Sequence, residues 1–178
     1  MKSRVVPFTI REATADDIPV LAGLIRDAFR TVADRFGLTP ENCPKHPSNC
    51  SDAWIAAALE QGVTYYVLNV DDHACGCAAL ELARPGVCYL ERLAVLPQFR
   101  NRGHGGALAI HVLEQAQALG ADRVEIGIIA EDTDLANWYQ ELGFRQTRTA
   151  EFDHLPFTVA LMKRALAPNP ARLVEVAS

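Results

Sequence analysis

The sequence predicts an α+β domain, a three-layer arrangement in which a mixed central sheet of about six to seven strands carries about four helices on its faces. Three observations predict it. Segments with strand and helix periods alternate along the chain without an internal repeat. The strand candidates of the middle segment follow one another through short turns, as hairpins do. The second half carries a strand–helix–strand–helix unit, which brings strands together by crossover. A chain of 178 residues, 49% of them apolar, fits one such domain and leaves little room for a second. The domain is expected over 1–166, with 167–178 as a loosely held tail.

Each element has a local reason. The run FTIREA alternates like a strand, and TADDIPVLAGLIRDAFRTVADRFG opens on a Thr/Asp cap signal and keeps apolar residues at helical spacing. LTPENCPKHPSNC is punctuated by prolines and reads as a loop. SDAWIAAALEQG is a short helix capped by Ser51 or Asp52 and closed by Gly62. Three strands follow: VTYYVLNV, then ACGCAALELA after the DDH turn, then VCYLERLAV after RPG, ended by Pro97. A long helix begins within QFRNRGHGGALAIHVLEQAQALG, DRVEIGIIA is a buried strand, and TDLANWYQELG is a helix stopped by Gly143. FRQTRTAEF and FTVALMKRA close the domain as a hairpin around DHLP.

Composition excludes several functions. Seventeen Lys and Arg against 22 Asp and Glu leave a net charge of −5, so there is no basic field for nucleic-acid binding. The N-terminal apolar run is short and broken by Pro7, which does not make a secretory signal. No apolar stretch is long enough to cross a bilayer. Five cysteines fit a reduced, cytoplasmic protein better than a disulfide framework.

The stretch after Pro97 carries the chemistry. Gly103, Gly105 and Gly106 stand between a strand end and a helix start, where the first backbone N–H groups lack intrahelical acceptors. Glycines remove the Cβ atoms that would hold a phosphate off the backbone, and Arg100 and Arg102 add positive charge beside the helix dipole. A pyrophosphate suits such a site; the bland alternative is a glycine-rich turn with two solvated arginines. A dinucleotide fold would need a third glycine where Leu108 stands, and a P-loop would need a terminal Gly-Lys-Ser/Thr, which is missing.

These residues resemble the GNAT superfamily of N-acetyltransferases, whose acetyl-CoA loop has the form Q/R-x-x-G-x-G/A. Arg100, Asn101, Arg102, Gly103, His104 and Gly105 match it. LERLAVLPQFRNRG resembles the family's cofactor strand and loop, and NWYQELGF its later helix, tyrosine and Gly-Phe turn. The resemblance extends from about Thr9 to about Arg164, strongest from Leu90 to Phe144. NCPKHPSNC and FDHLPFTV are similar to an uncharacterised bacterial branch of the superfamily. The resemblance implies a GNAT fold with two splayed central strands, YLERLAV and VEIGIIA, and acetyl-pantetheine between them. It further implies that backbone groups around Leu93, Ala94 and Val95 hold the pantetheine, that the loop from Arg100 to Gly106 takes the pyrophosphate of acetyl-CoA, and that the acceptor is an amine.

Transfer to an amine needs a neutral nitrogen, a place for developing negative charge and a proton for the leaving thiolate. Glu91 is the candidate base, because strand alternation puts Tyr89, Glu91, Leu93 and Val95 on one face. Its alternatives are a glutamate paired with Arg92 or a solvated one, with Tyr89 organising a water instead. Tyr139 matches the tyrosine that the family aims at the CoA sulfur; otherwise it is a core ring beside Trp138. Asp132 stands where the family often has an asparagine that contacts the cofactor, and reads as a helix cap first. His154, in the late hairpin turn, is either an acceptor-site group or a turn histidine.

Cys43, His46 and Cys50 have a loose metal-ligand spacing without a second pair, so no metal is assigned and a loop covering the substrate is the preferred reading. Two functional classes stay open: an N-acetyltransferase acting on a small-molecule amine, a protein N-terminus or a lysine, and a non-catalytic acyl-CoA-binding sensor. Family members often dimerise, so the resemblance admits a homodimer, although nothing in the sequence specifies an interface.

Overall fold

The computed structural model describes residues 6–169. Of the tail expected at 167–178, everything from 170 onward lies outside the described residues. Among the described residues seven strands form one sheet: β1 Phe8–Glu12, β2 Thr64–Val70, β3 His73–Arg84, β4 Val87–Val95, β5 Arg123–Ile129, β6 Arg145–Ala150 and β7 Val159–Ala165. The helices are α1 Ile18–Phe36, α2 Asp52–Glu60, α3 His104–Ala118 and α4 Thr133–Glu141. The spatial order is β1-β2-β3-β4-β5-β7-β6, in which β4 and β5 alone run parallel. This is the expected mixed sheet with four helices.

Local chemistry explains the element ends. Thr14 and Asp17 form a reciprocal capping box ahead of α1, and α1 stops at Gly37, whose φ of 63° is left-handed. The Ser51 hydroxyl accepts a hydrogen bond from the Trp54 N–H and starts α2. Two apolar cores lie on opposite faces of the sheet. One packs α3 and the α4–β6 segment, including Leu108, Val112, Tyr139 and Phe144, against Leu68, Leu80 and Leu90. The other packs α1 and α2, with Leu21, Ile25 and Ile55, against Val67, Cys77 and Ala79. All five cysteines are free and buried, as small core residues. No described helix is long and apolar enough to cross a membrane.

Two irregularities of the sheet create the site. The parallel pairing of β4 with β5 covers only Val87↔Arg123, Cys88↔Val124 and Tyr89↔Glu125; beyond these the strands diverge. On its other edge β4 is bulged, because Cys77 pairs with Ala94 and Ala79 with Glu91, leaving Arg92 and Leu93 together opposite Ala78. Arg92 adopts a φ of 51° there.

The bulge corrects the alternation predicted from sequence. Glu91 lies opposite Ala79 and so shares the α1/α2 face, where Ala94 is also buried, whereas Leu93 and Val95 pack against the α3 core. Glu91 and Leu93 therefore point to opposite sides, because one extra residue reverses the period of two.

Candidate active site

The divergence of β4 and β5 opens a cleft of about 900 Å³. Its walls are the Leu90–Val95 and Ile126–Ile129 segments of the two strands, one side of α1, and Leu135, Trp138 and Tyr139 of α4. His46 and Pro47 enter from the loop before α2, and Leu155 and Phe157 from the β6–β7 connection.

At one end of this cleft lies the glycine-rich loop. Asn101 and Gly103 have left-handed φ values of 59° and 83°, which turn the chain from a short 3₁₀ turn at Pro97–Phe99 into α3. The first helical hydrogen bond is donated by Ala107 to the Gly103 carbonyl, and no side chain caps the helix. Consequently the backbone N–H groups of residues 101 to 106 donate to no described residue. A Cβ on Gly105 would lie 3.5 Å from the Trp138 ring, whereas at Gly103 and Gly106 it would meet nothing within 4 Å. The loop thus presents bare backbone donors at the positive end of a helix.

The arginines of this loop divide in role. Arg100 does not extend toward the loop donors. Its guanidinium donates to the carbonyls of Val95 (2.9 Å) and Ala28 (2.7 Å) and to the Thr31 hydroxyl (3.0 Å), tying the loop to α1. Burial also lowers its pKa. Arg102 is exposed and lies over the Phe99 ring at 5.8 Å, so it is the arginine whose charge is available to an anion. His104 turns inward. The residue is 4% exposed, its ring meets Phe8 edge-on, and Nδ1 has no partner among the described residues, so its side chain is turned into the core.

Asp132 is a helix cap, as its residue type suggests: its carboxylate accepts from the Leu135 N–H and pairs with Arg35 of α1 at 3.2 Å. It lines the cleft, and the ion pair joins α1 to the start of α4.

Glu91 is accessible from the cleft and makes no hydrogen bond or ion pair with a described residue. Its carboxyl is raised above the ordinary glutamate range chiefly by the loss of solvent, opposed by the Arg92 charge and reinforced by Glu81. Tyr139 is buried between Trp138 and Phe144, at ring distances of 4.9 and 5.3 Å, yet it reaches the cleft wall. Its hydroxyl bonds to no described residue, and burial drives its pKa far upward, so it holds its proton throughout the neutral range.

His154 does not join them. It is exposed, tilts against Phe152 at 5.8 Å and is not part of the cleft wall; the same loop sends Leu155 and Phe157 inward instead. In this structure it stands as a turn histidine outside the cleft.

Two further residues, absent from the sequence candidates for the site, line the cleft. His46, whose spacing suggests a metal ligand or loop residue, is buried beside Phe29, and its Nδ1 accepts from the Ser48 N–H and contacts the Ser48 hydroxyl. Burial and the Arg92 charge bring its pKa down to about 4. Arg92, which the sequence offers only as a partner for Glu91, is half-buried in the cleft, and its guanidinium bonds to no described residue. Its only sequence signal was an arginine within an otherwise apolar strand end.

Known proteins share this architecture. A phosphinothricin acetyltransferase from Sinorhizobium meliloti in complex with AcCoA superposes with a TM-score of 0.71 at 21% identity, over 92% of this chain and 91% of that one. The amino-acid acetyltransferase of Neisseria meningitidis serogroup A is 31% identical over 152 residues, 84% of this chain but only 29% of that relative. An uncharacterized N-acetyltransferase of Escherichia coli, YjgM, is 26% identical over 138 residues, 76% of this chain and 80% of the relative. The match to the Acetyltransferase (GNAT) family runs over residues 28–144, from the middle of α1 through the glycine loop to Phe144, and the chain belongs to that family.

Proposed function

We propose that this chain is an acetyl-CoA-dependent N-acetyltransferase in which a primary amine attacks the thioester directly within a ternary complex. The observation that carries the reading is the run of six unclaimed backbone N–H donors from residue 101 to 106, placed where β4 and β5 part. Those donors suit the pyrophosphate of CoA, with Arg102 adding an exposed and salt-sensitive contribution of about 1 kcal/mol at most. The pantetheine arm then lies along the Leu93–Val95 segment, whose backbone has no strand partner on the β5 side.

Transfer forms an N–C bond and breaks the C–S bond of the thioester. The amine must first be neutral. A lysine-like amine of pKa about 10.4 is neutral in roughly one molecule per thousand near pH 7.4, a handicap of about 4 kcal/mol. Glu91, whose carboxyl is raised toward neutrality, accepts that proton. Tyr139, protonated and without a hydrogen-bond partner among the described residues, donates to the departing CoA sulfur.

The test is a melting curve with and without acetyl-CoA, coupled to thiol release in the presence of amines. A ligand at about a hundred times its Kd stabilises the fold by roughly 2.7 kcal/mol, which for a chain of this size raises the midpoint by about 5–10 °C. No shift in a folded sample would refute the reading. A shift without thiol release from any amine would leave an acyl-CoA sensor in its place.

A further inference from the structure

Among the described residues three arginines line the cleft, and two are committed: Arg35 to Asp132, and Arg100 to α1 and the Val95 carbonyl. Arg92 is not. It stands at the β4 bulge, half-buried; its backbone carbonyl accepts from the Cys77 thiol, but its guanidinium makes no hydrogen bond or ion pair with any described residue. A half-buried guanidinium with unmet donors has capacity to spare, and its planar fork matches a carboxylate. The residue before it is Glu91, equally unpartnered. Both act on the α1/α2 side of the sheet, where the Arg92 charge is felt by His46, Cys50 and Tyr65, and the Glu91 charge by Tyr65. Asp132, the nearby carboxylate on α4, is already neutralised by Arg35, and Asp134 lines the cleft at the same helix start.

Adjacent groups of opposite sign, each lacking a partner, describe a ligand that carries an amine and a carboxylate close together. Phe29, Val32, Leu155 and Phe157 form the wall on the α1 side and offer no charge to a third group. We infer that the acceptor is a free α-amino acid with an apolar side chain, its carboxylate held by Arg92, its amine at Glu91 and its side chain against the apolar wall. A protein N-terminus or a peptidyl lysine carries an amide in place of that carboxylate and leaves Arg92 unpaired, which is the asymmetry that makes polar recognition selective. The inference rests on the transferase reading. In the step itself the amino acid's ammonium passes one proton to Glu91, its nitrogen bonds the acetyl carbon as the C–S bond breaks, and the thiolate takes the Tyr139 proton; the second proton of that nitrogen then restores the Tyr139 hydroxyl by way of solvent, and Glu91 releases its own proton to solvent. The products are an N-acetyl amino acid and CoA.

The experiment compares thiol release from acetyl-CoA with leucine, phenylalanine, leucinamide, an N-terminal leucyl peptide and glutamate, in the parent chain, Arg92→Ala and Arg92→Lys. Leucinamide is the stringent control, since its less basic amine is the more often neutral. The parent should show a kcat/KM for leucine at least about a hundredfold above that for leucinamide or the peptide. Arg92→Ala should raise the KM for leucine about tenfold or more and bring the two substrates together, while the melting shift with acetyl-CoA persists; Arg92→Lys should fall between. Equal use of leucinamide or the peptide by the parent overturns the assignment without any variant, and so does an unchanged leucine preference in a folded Arg92→Ala. Glutamate outrunning leucine overturns the apolar wall's role. A parent that binds acetyl-CoA but turns over no free amino acid overturns the acceptor alone, whereas a parent that shows no acetyl-CoA response overturns the transferase reading with it.

Discussion

Tyr139→Phe separates catalysis from packing, because the structure makes the two predict opposite signs. The ring sits between Trp138 and Phe144, and phenylalanine keeps both contacts. The lost hydroxyl has no hydrogen bond to a described residue to forfeit and is 6% exposed as part of the residue. A buried hydroxyl without a partner is unfavourable by about 1–3 kcal/mol. Because this one touches the cleft, its removal should leave stability unchanged or raise it by up to about 1 kcal/mol, or about 2–4 °C for a chain of this size. Loss of the proton donor should lower the chemical step by about 10²–10⁴-fold, which is roughly 3–5 kcal/mol of barrier. The assay pairs a melting curve with single-turnover thiol release at saturating acetyl-CoA, so that product release does not mask the chemistry. A lowered midpoint with an unchanged rate would refute the argument and return Tyr139 to the core.

Three further outcomes follow from the same geometry. The raised carboxyl of Glu91 means that the folded state holds its proton to a higher pH than the unfolded chain does, so its contribution to stability falls as pH rises from the ordinary glutamate range through the raised value. Glu91→Gln should therefore melt slightly higher at neutral pH while losing turnover, and a retained rate with an unchanged pH profile would remove it from the mechanism. Arg100→Ala deletes three contacts between the loop, β4 and α1 and should cost about 2 kcal/mol of stability as well as acetyl-CoA affinity, whereas Arg102→Ala should keep the midpoint and weaken acetyl-CoA by about fivefold at low salt, less at high salt. His46 is held neutral, with its pKa down to about 4 from 6.5, so the stability that depends on it is present above pH 6.5 and is lost as pH falls toward 4. His46→Gln should flatten that part of the stability profile measured by urea unfolding; an unaltered acid limb would count against burial as the cause.

Sequence alone determined the order of elements, the helix caps at Thr14, Ser51 and Asp132, and the bare donors of the glycine loop. Each follows from rules that act within a few residues: period, capping and turn chemistry. Tertiary structure decided the rest of the site. The bulge that turns Glu91 away from Leu93 depends on how β3 registers against β4, which no property of β4 alone specifies. Arg100 bonds to Ala28, 72 residues earlier, so its identity as a loop arginine said nothing of where its charge would go. His154 and Leu155 are neighbours in a turn, and only the packing of Leu155 against the α1 cluster chooses which of them faces inward. Arg92 became a candidate only when the structure left it without a partner, because pairing between side chains distant in sequence is set by the completed fold and leaves no local trace in the chain.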